Sequence, residues 1–546
     1  TARTPVETIY LMKCTLRKMS GYLYGSVQPA IAISVEKEPL TDNKRRDGLA
    51  ECAVLFSNMC EMPERPLFDN VGAATPNEFL THLVESLCAL NTHCGDQRFT
   101  PIKYLDEENY ETYIVPTVSP DLAALNFSSL TTFLKKHKDH LTLEAVKGFV
   151  NTLRAKNRVF LPLGTNAMNF IFAAIARKIP FKILSNRHII FGYGSSSVIF
   201  MSSVTSRENA VGVDLADSKL LTKTLLGLAE LPVAKGFGID SIDSAVKRAS
   251  EIGYPVVLKP VCGRQGRGVI PGIASEDALR TAYSRVRATG ENKLLIEKHI
   301  SGECHRITVL NGKIINAFEM QSARVVGDGK SSVSDLIEQE NLRPSRNVAI
   351  SSMCKIIVDN DVMDILKQQG IELATVPEQG DTVFLAFVSN ESRGGMYYEC
   401  TARLHPENAR LCIAVAETMN LSLSGIDFIS EDASKPWFEN NAMICEVNAQ
   451  PQLGEFGEDS EIFFAVLDSA QPMAVPINLT ISNDETHQSS GLFNKTLNAI
   501  DLHLTPAEVF RNGCPAQYFT TLTIAENVPI SVRRSLIDAL VSIEPL

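Results

Sequence analysis

The chain has 546 residues, 45% of them apolar and 21% charged, and a formal net charge of −11 at pH 7. That length allows about three or four domains and a core that needs no disulfide or metal staple, and the composition describes a folded globular chain, not a disordered one. An acidic balance argues against nucleic acid or an anionic membrane as the main partner, because neutralising phosphates takes clustered Lys and Arg.

No run of about 18 apolar residues occurs, so no membrane-spanning helix is expected. The opening TARTPVETIYLMK lacks the apolar stretch of a secretory leader. The 12 cysteines form no C-x-x-C pair and the 10 histidines no H-E-x-x-H spacing, which predicts scattered reduced thiols, a cytoplasmic location and no zinc site.

Residues 8–16 and 29–36 alternate apolar and polar closely enough to predict an antiparallel strand pair. Residues 41–48 read as a charged loop, 76–90 as a helix with Pro76 in its first turn, and 135–153 as a second helix. The one short basic cluster, Lys135-Lys136-His137-Lys138, reads as a solvated helix end. Together, 1–157 make an N-terminal α+β domain without recognisable chemistry.

From Arg158 the texture changes. RVFLPLG reads as a buried strand, NAMNFIFAAIARK as a helix and FKILSN as a strand, a βαβ pattern. A glycine-rich turn, IIFGYGSSS, precedes a helix over 217–230. GYPVVLKP and GVIPGI predict strands, and Ser275 caps a helix reaching about residue 288. LLIEKHI, HRITVLNG and KIINAFEM continue as strands, and His405-Pro406-Glu407 opens a helix. SGIDFIS and AMICEVN read as two strands joined by a polar loop holding Trp437. Residues 456–546 show no pattern that assigns them.

The chemistry concentrates in this middle part. CGRQGRGV places Gly263, Gly266 and Gly268 in a turn whose backbone N–H groups could approach phosphate oxygens, with Arg264 or Arg267 adding charge. Its G-x-x-G-x-G order is neither a dinucleotide fingerprint nor a Walker loop, and a plain β-turn is the bland alternative. Lys259 lies nine residues before Gly268, and Lys219 and Lys223 stand four apart on one helix face. Each alone reads as a surface lysine. Glu297 ends an apolar strand, after which backbone groups at 298–300 could pair with an adenine edge. Asp427, Glu446 and Asn448 sit on two apolar strands, with Glu446 and Asn448 on the same side. Such oxygen donors beside a phosphate site suit Mg²⁺, although salt-bridged edge carboxylates are the alternative.

Read in order from about Arg158 to Leu453, GYPVVLKPVCGRQGRGV, IEKHISGECHRITVLNGK, VVGDGKSSVSDLI, NESRGGMYYE, LHPENARL, GIDFIS and ICEVNAQP resemble the ATP-grasp ligases. The similarity is nearest to the amide-ligase half of the cyanophycin synthetases, with glutathione synthetases and D-alanine–D-alanine ligases more distant. IYLMKCTLRKMSGYLYG and FLTHLVESL weakly resemble the N-terminal domain of the cyanophycin synthetases. The resemblance implies an α+β multidomain architecture: an N-terminal domain over 1–157, an ATP-grasp domain of two lobes clasping ATP over 158–455 with a lid at about 215–300, and an extension over 456–546. It implies that Lys219 and Lys259 hold ATP phosphates under a lid containing Gly263, Gln265, Gly266 and Gly268. Glu297, His299 and Ile300 would take the adenine, Glu303 the ribose, and Asp427, Glu446 and Asn448 the Mg²⁺. Arg306 would contact the transferred phosphate, and Ser392, Arg393, Gly394 and Gly395 would receive the carboxylate substrate.

The chain departs from the family in several places. Gln265 replaces a glycine-loop His, Cys304 stands at the usual ribose-carboxylate position, and SSSVIFMSS replaces the basic residues after G-Y-G. Arg393 replaces a Thr. This charge suggests a donor with a second acidic group, a surface arginine being the alternative. No second nucleotide loop or Mur-ligase-like half follows, which implies a single-bond-type ligase.

The implied activity is ATP-dependent joining of a carboxylate to an amine of amino acids or small peptides through an acyl phosphate, with ADP and phosphate released. Ligation onto a protein or polymer end, or a non-catalytic nucleotide-binding scaffold, are the alternatives. A homo-oligomer is implied by resemblance alone. Strand alternation puts His305 on the face opposite Arg306, which favours a structural role for it.

Overall fold

The computed structural model describes residues 14–37, 78–261, 268–343, 355–454 and 460–540, apart from 20, 24, 25, 27, 97, 99, 108, 138–141, 163, 289, 291, 292, 387, 388, 390–392, 473, 474 and 485–490. The architecture is mixed α+β with several antiparallel sheets. By contacts the chain divides into residues 1–202 with 463–546, and residues 203–462. No helix among the described residues is long and apolar enough to cross a membrane.

In the first unit, Cys14–Met19, Ala30–Glu36, Tyr110–Pro116 and Lys103–Asp106 lie in that order in one antiparallel sheet. Its period-2 alternation serves two cores. Ile31, Ile33, Val35, Tyr113 and Val115 pack with the helices Glu78–His93, Pro120–Lys136 and Leu143–Asn157. Ala30, Ala32 and Ile114 enter a second core with Ile477, Leu479, Leu502 and Leu536. Residues 463–546, left unassigned by the sequence, thus share a core with the first strands. Their sheet is parallel, with Ile477–Ile481 between Ile500–Leu504 and Thr521–Ile524. The approach is close at Gly21, where an added Cβ would lie 2.4 Å from the Cys514 carbonyl oxygen. The neighbouring Tyr22 and Cys514 exchange backbone hydrogen bonds of 2.6 and 2.9 Å.

Three sequence expectations fail in this unit. The helix predicted over 135–153 is two helices, and Lys135 and Lys136 end the first, with His137 as its C-cap. Lys138 lies outside the described residues. RVFLPLG holds no strand: Arg158–Phe160 is a 3₁₀ turn with Val159 exposed, and Pro162 offers no N–H to a ladder. The βαβ reading falls with it, because Phe181–Ile183 pairs antiparallel with Ile189–Phe191. The part of the first predicted strand before Cys14, the loop at 41–48 and the start of the helix at Pro76 lie outside the described residues.

The second unit contains two larger sheets. Ile270–Ile273, Val256–Pro260, Leu294–Lys298 and Gly236–Ile239 form an antiparallel four-stranded sheet. On one face, Val256, Leu258, Leu294 and Ile296 pack against Ala245 and Ala249 of helix Ile242–Ile252 and Leu279, Ala282 and Val286 of helix Glu276–Arg287. Alternation sends Lys259 and Glu297 to the other face.

The second sheet is five-stranded and antiparallel, in the order Met396–Glu399, Lys313–Gln321, Glu303–Leu310, Leu423–Ser430, Met443–Asn448. Ile307, Val309, Ala317, Ile426, Phe428 and Val447 bury one face against Leu411, Cys412 and Val415 of helix Pro406–Thr418 and Leu226 of helix Lys219–Leu228. The predicted helix over 217–230 breaks at Ser218, whose extended backbone ends Ala210–Asp217 and whose hydroxyl caps the next helix by accepting from Leu221 N. A smaller body has its own core of Val325, Leu336, Val362, Leu366 and Val383, built from the strands Arg324–Val326 and Thr382–Phe384 and the helices Val333–Asn341 and Asn360–Gln368.

Asp96 provides a pH test of the first unit. It is 2% exposed, and accepts from Val118 N at 2.7 Å and from the Thr117 hydroxyl. Burial outweighs these bonds and pushes its carboxyl up to about 7 from an ordinary 3.8. The folded state therefore binds this proton more tightly than the unfolded chain. The group's stabilising contribution is full below its ordinary value and is lost as pH rises through about 7. Melting followed between pH 5 and pH 8 should show that loss, with a slope of at most about 1.4 kcal/mol per pH step of one for this single proton. Asp96→Asn, which keeps an acceptor for Val118 N, should flatten the pH dependence.

Candidate functional site

The charged groups of the second unit fall into two clusters joined at one residue. In the first, the Glu297 carboxylate lies between two lysines: Lys259 Nζ is 2.5 Å from Oε1 and Lys223 Nζ is 2.8 Å from Oε2. All three side chains are buried. Lys259 reaches the site from strand Val256–Pro260, while Lys223 comes from one turn inside helix Lys219–Leu228 and also donates to the Ala234 carbonyl at 3.3 Å. Burial opposes the charge on Lys259, but the Cys445 sulfur and the Glu297 carboxylate outweigh it and hold the ammonium above the ordinary lysine range. Burial would likewise raise the Glu297 carboxyl, yet Lys259 and Lys223 hold it below its ordinary value. The cluster is a buried two-to-one ion group with one positive charge in excess.

The second cluster lies on the five-stranded sheet. Register places Glu399, Phe318, Arg306, Asp427 and Glu446 in one row across all five strands, and directly paired residues share a face. Arg306 grips Asp427 with both arms, Nε to Oδ1 at 2.5 Å and Nη2 to Oδ2 at 3.2 Å. Burial would depress the guanidinium, and Asp427 more than restores it. Lys219 Nζ donates to Glu446 Oε1 at 3.1 Å. Asn448 stands opposite Gly425 and donates to its carbonyl at 3.4 Å. Gly425 makes room for the pair: a Cβ there would lie 2.8 Å from Pro451 Cβ and 3.1 Å from Arg306 Cδ.

Cys445 joins the clusters. The register shift between Asp427 and Phe428 leaves it as the extra residue between Ile444 and Glu446. Its sulfur is 3.9 Å from Lys259 Nζ, and burial raises its thiol pKa. Among the described residues, Lys219, Lys223, Lys259 and Arg306 thus face Glu297, Asp427 and Glu446, four cations against three carboxylates.

The remaining predicted residues are placed differently. Gly263, Gln265, Gly266 and Ser392 lie outside the described residues, and Gly268 abuts the Pro260 ring. The backbone N–H groups of Lys298 and His299 already donate to the Lys235 and Pro255 carbonyls, so the adenine expectation for 298–300 cannot draw on those two donors. The resemblance assigns Glu297 to adenine, but its carboxylate is engaged by Lys223 and Lys259. Glu303 is ion-paired to Arg324 at 2.8 Å, and Cys304 is half-buried, its thiol raised by desolvation and then by Asp427. Arg393, expected as a cation for the donor, is held by Asp359 at 2.7 Å and Asp361 at 2.6 Å. Gly394 and Gly395 follow it as buried residues. His305 points into the core beside Phe428, and burial lowers its pKa.

Sequence reasoning noted Lys223 only as the i+4 partner of Lys219 and missed two further contributors. Gly425 and Cys445 stand two residues before Asp427 and one before Glu446, and nothing local marks their roles.

Asp427, Glu446 and Asn448 offer two carboxylates and an amide oxygen, the hard donor set that suits Mg²⁺ when phosphate oxygens complete the shell. Among the described residues no group of three or more His, Cys, Asp or Glu forms a metal cage. A metal held here would therefore share its shell with a ligand.

Residues 218–404 match the family described as carbamoyl-phosphate synthase L chain, ATP binding domain. The chain is 33% identical over 328 residues to the cyanophycin synthetase of Synechocystis sp., covering 58% of this chain and 38% of that protein. It is 24% identical over 323 residues to a glutathione biosynthesis bifunctional protein of Clostridium perfringens, covering 57% of this chain and 41% of that one. The chain thus spans less than half the length of these curated relatives. A solved bifunctional glutathione synthetase from Pasteurella multocida aligns over 81% of this chain and 82% of its own, with a TM-score of 0.44 and 14% identity.

The Glu297 cluster makes a stability prediction. Glu297→Gln removes the anion and leaves two buried ammonium groups facing each other, a change expected to cost about 3–5 kcal/mol in urea unfolding. Glu303→Gln breaks the more exposed pair with Arg324 and should cost under about 1 kcal/mol.

Proposed function

With an ATP-grasp domain in the chain, we propose that the protein is an ATP-dependent carboxylate–amine ligase that joins amino acids or small peptides through an acyl phosphate. The observation that carries this reading is the excess of positive charge in a partly buried site whose anions are themselves donors for a divalent cation. Such a site suits a polyanion brought in with its metal.

Condensing a carboxylate with an amine in water requires activation. One oxygen of the donor carboxylate attacks the γ-phosphorus of ATP. The new P–O bond forms as the bond to the β,γ-bridging oxygen breaks, giving an acyl phosphate and ADP. Such a transfer depends on positioning and charge neutralisation more than on covalent chemistry by the protein. Lys223 and Lys259 supply fixed ammonium charge for the phosphates, already assembled around Glu297. Arg306, held flat by Asp427, faces the phosphoryl oxygens as they take on charge. Mg²⁺ held by Asp427, Glu446 and Asn448 would screen the polyphosphate. The neutral amine then attacks the acyl carbon, and the oxyanion that forms is stabilised by Arg306 before phosphate leaves. His305 is excluded as the base for this step by its place in the opposite core.

The reading extends to a cytoplasmic enzyme taking small acids and amines, assembled as a homo-oligomer. A pairwise screen of amino acids and dipeptides, read by ADP release and product mass, tests it. The expected result is ADP and phosphate with one donor–acceptor pair and a hydroxamate when hydroxylamine replaces the amine. AMP and pyrophosphate would contradict it. Arg306→Ala should lower ADP release at least about 100-fold, whereas release unchanged by both Arg306→Ala and Glu446→Gln would point to a nucleotide-binding scaffold.

A further inference from the structure

The helix Asn360–Gln368 carries three acids on its first turns, and two arginines from different parts of the unit meet there. Asp359, its N-cap, accepts from Asp361 N and Val362 N at 3.0 and 3.1 Å and takes Arg393 Nη1 on its other oxygen at 2.7 Å. Asp361 is shared: one oxygen bonds Arg393 Nη2 at 2.6 Å and the other bonds Arg285. Arg285 is also held by Asp364 at 2.9 Å.

Each arginine belongs to an element that leads to the site. Arg285 lies on helix Glu276–Arg287, whose Leu279, Ala282 and Val286 pack against Val256 and Leu258 of the strand that carries Lys259. Arg393 precedes strand Met396–Glu399, which pairs with Lys313–Gln321; there Glu399 lies opposite Phe318, and Phe318 opposite Arg306. A shift of the Lys259 sheet is therefore felt at the strand two places from Arg306 through the helix Asn360–Gln368, on which Asp361 is the one carboxylate that bonds both arginines. Asp361 can bond both arginines because its two oxygens point to opposite partners, and planar guanidinium forks keep those bonds directional.

We propose that Asp361 is a positioning residue that couples the lobe holding Lys259 to the strand two places from Arg306, so that nucleotide bound at the lysines orders the segment 393–399. The tie does not depend on the ligase reading; only its nucleotide consequence rests on it.

Hydrogen exchange tests the two parts separately. In nucleotide-free protein, Arg285→Gln should speed exchange over 393–399 about 1.4-fold to fivefold, the scale of one part-exposed charged pair. Arg248→Gln, which breaks a pair with Glu251 in the same lobe, should leave 393–399 unchanged. With Mg²⁺ and the β,γ-imido analogue of ATP as probe, wild type should gain protection at both 256–260 and 393–399. Asp361→Asn should keep the first and lose the second, and Asp361→Glu should restore it. The difference should shrink at about 0.5 M salt. Unchanged exchange at 393–399 in Arg285→Gln overturns the tie. Protection at 393–399 that survives in Asp361→Asn overturns the coupling. A probe that protects neither segment of wild type counts against nucleotide binding, and the nucleotide-free comparison still decides the tie.

Discussion

One carboxylate between two ammonium groups, out of contact with water, sets the terms for the second unit. Burying Glu297, Lys223 and Lys259 is unfavourable for each alone, and the arrangement persists because each offsets the desolvation of the others. The cost is not fully cancelled, since one positive charge remains. In the proposed function that remainder has a use: an anionic ligand would complete an ion group already assembled, and no lysine would have to be ordered at the moment of binding. The same logic holds in the five-stranded sheet, where Asp427 fixes Arg306 as a flat fork.

Both arrangements rest on the two-residue period of β-structure. In the four-stranded sheet the alternation that sends Val256 and Leu258 into the helices leaves Lys259 on the far side. In the five-stranded sheet, Ile307 and Phe428 fill the core while Arg306 and Asp427 stand on the opposite face. Chemistry and core are thus written into the same few residues, and a one-residue slip in register would exchange them. The bulge at Cys445 is the local exception, and it brings a thiol to within contact of Lys259 while keeping Glu446 in line with Asp427.

Much of this site was legible. The strands around Lys259, Glu297, Arg306, Asp427 and Glu446 stand out as short apolar runs, and Ser275 and His405 cap the helices expected of them. What resisted reading was partnership. Arg393 invites assignment to a substrate because its two aspartates lie more than thirty residues earlier in the chain. Nothing in the local pattern shows Arg324 beside Glu303 or the two lysines beside Glu297. Local pattern gives the face on which a side chain stands, not the charge it meets there. The other failures have a similar cause. RVFLPLG looks like a strand by composition, but it offers no neighbour a continuous set of donors. The strands within 456–546 do alternate, as INLTI, IDLHL and TLTI, but each is only four or five residues long and their parallel pairing leaves no hairpin turn to mark them. The Thr505–Glu508 capping box is a further local sign.

The shared core of Ala30, Ala32, Ile477 and Leu479 bears on the order in which the chain can fold. Residues 32 and 477 are 445 positions apart, so on a ribosome adding about 5–20 residues per second the early strands wait roughly 20–90 s for their partners. The whole of 203–462 emerges within that interval and can complete its own cores first. The first sheet meanwhile shows water one apolar face, Ala30, Ala32 and Ile114 among its residues. For that period the nascent chain has a finished 203–462 and an unfinished companion, which makes the sheet of residues 14–36 and 103–116, not 203–462, the stretch most in need of protection from aggregation during synthesis.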